Sequence, residues 1–282
     1  MSTTTATTSP ASPASPASTP RIPAAAARRT EPLTRPPFSR LVLVELRKMF
    51  DTRAGFWLMA SVGILAVVAT GAVIAFAPDE VLTFGTFATA IGVPMTVLLP
   101  MITILSITSE WSQRSGLGTF TMVPHRGRVI AAKAVGSVLI GVVSMFVALG
   151  VGALGTLVGS LLTGLDPVWD VTVGQFTAIV GANLINMAIG FMLGVLTRSS
   201  AAGIVGYFVY SFVFTTVSEM LAAFQDWWVD ARPWADFQYN QGILFERLPE
   251  GQEWLHLAVS SLPWLVLPLA LGLWLVSRAE VK

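Results

Sequence analysis

An all-α membrane protein with six transmembrane helices is the fold class that three features of the 282-residue sequence predict. Hydrophobic residues make up 54% of the chain and charged residues 12%, against about 25% charged in soluble globular domains. Six apolar runs each reach the roughly 20 residues that a helix needs to cross a bilayer. Basic residues crowd into alternate connections between those runs, the asymmetry that orients membrane helices.

The elements follow in chain order. Residues 1–37 are low in complexity, with repeated Ser-Pro-Ala units, an Ala run and eight of the seventeen prolines. Such a stretch buries too little apolar surface to offset its ordering entropy, so a disordered tail is expected. It has no continuous apolar core of the kind a secretory signal needs, and Arg28 and Arg29 precede Thr, Glu and Pro rather than an apolar run. Residues 39–52, SRLVLVELRKMFDT, read as a helix. At 100° per residue Val42, Leu43, Leu46, Met49 and Phe50 share one arc, while Arg40, Glu45, Arg47, Lys48 and Asp51 share the other. That pattern suggests a helix lying in the membrane interface, with an extension of the first span as the competing reading.

The spans are expected at 55–77, 81–108, 134–163, 171–197, 199–222 and 254–277. The first four hold no Asp, Glu, Lys or Arg; the fifth meets Glu219 near its end and the sixth His256 near its start. The second and third exceed the bilayer thickness and are expected to tilt or project. Pro94, Pro100, Pro263 and Pro268 are expected to kink their helices.

Fifteen of the seventeen Lys and Arg residues lie before the first span, in 109–133, directly after the fourth span, or at the C-terminus. Connections 78–80, 164–170 and 223–253 hold only Arg232 and Arg247, among many carboxylates. Both termini and 109–133 are therefore expected in the cytoplasm. The last outer connection, 223–253, carries Trp227, Trp228, Trp234, Phe237 and Tyr239. Short helices lying on the outer face, anchored by these aromatics, are expected there, with a substrate gate as the sharper alternative.

Chemistry is sparse. With no Cys there is no disulfide, thiolate metal site or Cys nucleophile, and with only His125 and His256 a His-based metal site lacks ligands. No phosphate-binding loop, H-E-x-x-H or G-x-S-x-G is present. No catalytic residue, cofactor or nucleic-acid partner is expected. Pumps and ion-coupled carriers usually place ionisable groups inside the bundle, and these spans have almost none. A sodium site of carbonyls and hydroxyls stays open.

Residues 109–133, SEWSQRSGLGTFTMVPHRGRVIAAK, stand out as a polar segment too long for a turn and too short for a domain. A helix entering the membrane, six spans with both ends inside and a long second-to-third connection resemble the type-2 permeases of ATP-binding-cassette (ABC) transporters. The local pattern E-x(8)-T-x(4)-P-x-R-x(6)-K is carried by Glu110, Thr119, Pro124, Arg126 and Lys133, with Gly116 and Gly118 where a regular helix would run. The resemblance covers about 39–282. It implies that 109–133 forms a coupling segment docked on a separate cytoplasmic ATPase subunit, and that a second permease subunit completes a homo- or heterodimer. It also implies the cytoplasmic membrane of a bacterium. With Arg114, the residues named are the candidates for that docking.

Each has a plainer reading. Glu110 and Arg114 at i, i+4 can be a solvated ion pair worth a few tenths of a kcal/mol. Pro124 can break a helix, and Arg126, Arg128 and Lys133 can sit on anionic lipid. Lipid anchoring accounts for the basic residues but not for the length of the segment.

Within the spans, Ala148, Gly152, Gly155 and Gly159 form one small-residue stripe, and Asn183, Asn186, Gly190 and Gly194 a second, partly polar one. Such stripes let helices approach closely and let Asn hydrogen-bond across them, or they line a path. The expected function is the membrane subunit of an ATP-driven exporter of apolar or amphipathic cargo. A non-transporting membrane anchor and a self-sufficient carrier or channel are the alternatives from other classes.

Overall fold

A computed structural model describes residues 37–112 and 126–278. Every regular element among them is helical. Six helices are long and apolar enough to cross a membrane: Gly55–Phe76, Phe84–Ser109, Gly127–Thr163, Val173–Thr197, Ser200–Phe224 and Glu253–Arg278. The expected disordered tail, 1–37, lies outside the described residues except for Pro37.

Helix α1 (Phe38–Asp51) turns directly into α2 (Arg53–Phe76) at Thr52. Thr52 is extended, and its Oγ1 accepts the N–H of Gly55 at 3.1 Å, capping the second helix. Glycine is required at 55 because a Cβ there would lie 1.9 Å from the Met49 carbonyl oxygen. The buried face of α1 is rotated from the one its sequence suggests. Val42, Glu45 and Met49 are buried, while Leu43 and Phe50 stay open. Glu45, assigned to the polar arc, turns inward because a lysine waits for it on another helix.

Helix α3 (Phe84–Ser112) is continuous, with Pro94 and Pro100 inside it. Its first turn is held by the connection between the third and fourth spans (164–172): Phe84 N–H donates to the Val168 carbonyl at 3.0 Å, and Gly85 N–H to Asp170 Oδ1 at 2.6 Å. Pro100 has no N–H to give to the carbonyl four residues earlier, that of Thr96. The Tyr207 hydroxyl donates to that oxygen instead, at 2.6 Å. In hydrocarbon such a replacement is what makes an internal proline tolerable.

Helix α4 (Arg126–Thr163) starts earlier than the apolar run does. The stretch 126–133, assigned by sequence to the connection, belongs to the same helix, and its deeply placed charge, Lys133, is paired with Glu45. Gly164, at φ +73°, ends the helix. Helix α5 (Val173–Thr197) is capped by Thr172 and ends at Arg198, which takes the left-handed conformation at φ 53°. Ser199 then caps α6 (Ser200–Phe224), whose middle, Val209–Phe214, is π-helical.

The acidic 223–253 connection folds into α7 (Asp226–Ala235) and α8 (Phe237–Glu246). Helix α8 packs into the bundle against α5, burying Phe237, Asn240, Gln241 and Leu244. Its polar groups make this possible by bonding to the bundle: Gln241 Nε2 donates to the Ala182 carbonyl at 2.9 Å, and Asn240 Nδ2 to Ser260 Oγ at 3.0 Å. Helix α9 (Glu253–Arg278) closes the bundle, with a π-helical stretch at Leu262–Val266 around Pro263.

Helices α3 and α5 form the centre. Half of the most apolar window of each is buried, against 11% for α2 and 17% for α6 and α9. One core cluster joins Met101, Ile104, Ala182 and Ile189 to Tyr207, Phe237 and Leu257. The other joins Met49, Val62, Ile91, Leu99, Ile140 and Met187.

Candidate functional site

The polar segment singled out in the sequence is bracketed by the ends of α3 and α4. Arg114, Thr119 and Pro124 lie outside the described residues, as do the side chains of Glu110 and Arg126. Backbone places Glu110 in the last turn of α3 and Arg126 at the start of α4. No more of that candidate docking surface is described.

Lys133 is fully placed. Its Nζ lies 2.6 Å from Glu45 Oε2, and both side chains are buried. The same ammonium donates to the Ser106 carbonyl at 3.2 Å and reaches Ser109 Oγ at 3.5 Å, both on α3. Lys48 approaches the other Glu45 oxygen at 2.8 Å. Lys133 is thus turned into the protein, fastening α1, α3 and α4 together at the 113–125 end. A lipid headgroup does not hold it. Buried and hydrogen-bonded from both sides, the pair satisfies the condition under which an ion pair survives loss of water.

The small-residue stripes are sites of close helix approach. A Cβ at Gly155 would lie 2.7 Å from Thr70 and 2.9 Å from Phe87, and Gly152 and Gly159 face Phe84, Phe87 and Leu82. A Cβ at Gly190 would lie 2.8 Å from the Pro100 carbonyl oxygen, and one at Gly194 would lie 2.1 Å from Ile107. Both stripes therefore seat α4 and α5 on α3. The two asparagines behave differently from the expected cross-helix bridges. Asn183 Nδ2 donates within its own helix, to the Ile179 carbonyl at 3.0 Å, and its Oδ1 is buried without a partner. Asn186 is buried and has no hydrogen-bond partner among the described residues; it opens onto a cavity.

That cavity, of about 650 Å3, lies at the α7–α8 end of the bundle, between α3, α5, α6 and α8. Its wall includes Asn186, Tyr207, Gln238 and Gln241, with Phe212 and Phe245 as apolar surfaces. Because Gln241 Nε2 is committed to Ala182 and Gln238 Nε2 to the Ser211 carbonyl at 3.2 Å, the amide orientations are set. Both Oε1 atoms are then buried without a partner.

Charged residues line the same cavity, and its arginines are occupied. Arg232 holds Glu219 with two hydrogen bonds and reaches Asp236 Oδ2 at 3.3 Å. Burial alone would lower the Arg232 pKa; the bonds and charges of Glu219 and then Asp236 outweigh it and raise it. Asp236 also accepts from Ser218 Oγ and caps α8 through the Tyr239 N–H at 3.0 Å. Arg247 grips Glu253 in bidentate fashion at 2.6 and 2.8 Å. Glu246, exposed and lining the cavity, has no ion-pair partner among the described residues.

Sequence reasoning named Asn186 but missed Gln238, Gln241 and Tyr207. The available signal was the run Phe237-Gln-Tyr-Asn-Gln, with three amides in an aromatic setting where a plain surface helix would carry charges. No protein-family model matches the chain, and no curated protein matches it.

Proposed function

We propose that the chain is the membrane-spanning permease subunit of an ATP-driven ABC exporter in a bacterial cytoplasmic membrane, moving an apolar or amphipathic substrate. A separate cytoplasmic ATPase subunit hydrolyses the ATP, and a second permease subunit completes the translocation unit. The chain itself catalyses no reaction.

The observation that carries this reading is the buried Lys133–Glu45 pair beside the 109–133 segment. A force applied to that segment from below enters α3 and α4 together. Through Lys133 it also reaches α1, and through the linkerless Thr52 corner it reaches α2. Four elements then move as one body, as an ATPase-driven rocking of the spans requires. The resemblance in Glu110, Thr119, Pro124, Arg126 and Lys133 supports the same reading, as does the basic-residue asymmetry.

Purification in mild detergent tests it. A stoichiometric ATPase with a phosphate-binding loop should accompany the chain. Combining Glu110→Ala with Arg114→Ala should release it while the six spans stay inserted, since truncating one partner of a buried interfacial charge pair costs about 2–5 kcal/mol. Export at the normal rate in that variant and in Arg126→Ala would leave 109–133 an ordinary loop and remove the main support.

A further inference from the structure

We propose that the cavity at the α7–α8 end is a binding site for an organic ammonium ion, whose N–H groups are received by the side-chain carbonyls of Gln241 and Gln238. Gln241 is 2% exposed, lines the cavity and leaves Oε1 without a partner. Gln238, which lines the same cavity, also leaves its buried Oε1 without a partner, and the unpartnered Asn186 lines it too. Buried acceptors without donors are costly, so a site holding two of them is built for a ligand that brings donors.

Charge selects among donors. The cavity wall carries Glu219, Asp236, Glu246 and Glu253 against Arg232 and Arg247. Both arginines are neutralised by three of those carboxylates. The remaining excess is negative, with Glu246 exposed. An ammonium group is attracted there and a carboxylate repelled. The volume suits a small organic molecule, and Phe212 and Phe245 give its carbon skeleton an apolar surface. As the polar end of an amphipathic cargo the ligand rests on the exporter reading; binding as such does not, and it is measured without an ATPase.

The test uses the full chain in nanodiscs of zwitterionic lipid and three probes of one skeleton: 4-phenylbutylammonium, 4-phenylbutanol and 4-phenylbutyrate. Calorimetric titration should give saturable binding of the ammonium, about tenfold or more tighter than the alcohol, with the carboxylate weakest. Gln241→Leu should remove that preference. Glu246→Gln, on the exposed wall, leaves packing intact and should weaken the ammonium alone by several-fold, so the proposal stays testable if Gln241→Leu does not fold. Equal affinity for ammonium and alcohol, preference for the carboxylate, no saturable binding, or unchanged selectivity in the folded variants would each overturn it. Failure here leaves co-purification of an ATPase untouched, and failure to co-purify leaves this binding untouched.

Discussion

Glu45 and Lys133 illustrate why single residues resist reading from sequence alone. Each looked like an ordinary charge at a membrane boundary, and each is buried because the other is there, 88 positions away. Local periodicity assigned Glu45 to the wet face of α1, and no local pattern holds information about a partner so distant. Removing Lys133 leaves buried Glu45 with only the half-exposed Lys48 at 2.8 Å, and breaking a buried pair costs up to about 3–5 kcal/mol, whereas replacing both members by apolar groups can be nearly neutral. Lys133→Met should therefore lower the thermal unfolding temperature of the detergent-solubilised protein markedly. Combining Glu45→Leu with Lys133→Met should recover most of the loss. Equal destabilisation by the single and double replacements would show that the pair does not act as a unit.

At the scale of elements, α5 was the best described by its sequence and α8 the least. The apolar length of α5 is a local property, and its Asn and Gly stripe marked the face that meets α3. Helix α8 is amide-rich and flanked by acids, so composition placed it outside the bundle. What draws it in is a set of specific partners, the Ala182 carbonyl and Ser260, which composition does not reveal. The cavity was equally hidden, because its acceptors come from elements that only the folded bundle brings together. The α3–α5 contact has a control within one helix: a Cβ at Gly190 meets the Pro100 backbone, whereas a Cβ at Gly181 meets nothing within 4 Å. Gly190→Ala should destabilise by about 1–3 kcal/mol, the cost of overpacking a tight contact. Gly181→Ala should be neutral or slightly stabilising, as alanine favours the helix. Denaturant titration followed by circular dichroism reads both.

For the whole molecule, the six-span architecture was legible from hydropathy and length, because a span is encoded in one contiguous stretch. Which way the bundle faces is a separate matter, and the absence of Cys makes it directly measurable. Single cysteines at Glu80, Val168 and Trp227, all exposed, should react with an impermeant thiol reagent added to intact cells. Cysteines at Arg40 and Phe120 should react only after lysis. Labelling of Phe120→Cys from outside would invert the molecule and remove the docking role of 109–133.

The bond from Tyr207 to the Thr96 carbonyl has a consequence in time as well as in space. The two residues are 111 positions apart, so the ribosome finishes α3 well before it begins the helix that carries the donor. At about 5–20 residues per second, the interval is about 6–20 s. Throughout it, the proline-freed oxygen of a newly inserted helix needs water, lipid headgroup or insertion machinery as a stand-in. The second span is thus a segment whose biogenesis depends on a companion not yet translated, and it completes its hydrogen bonding only when the fifth arrives.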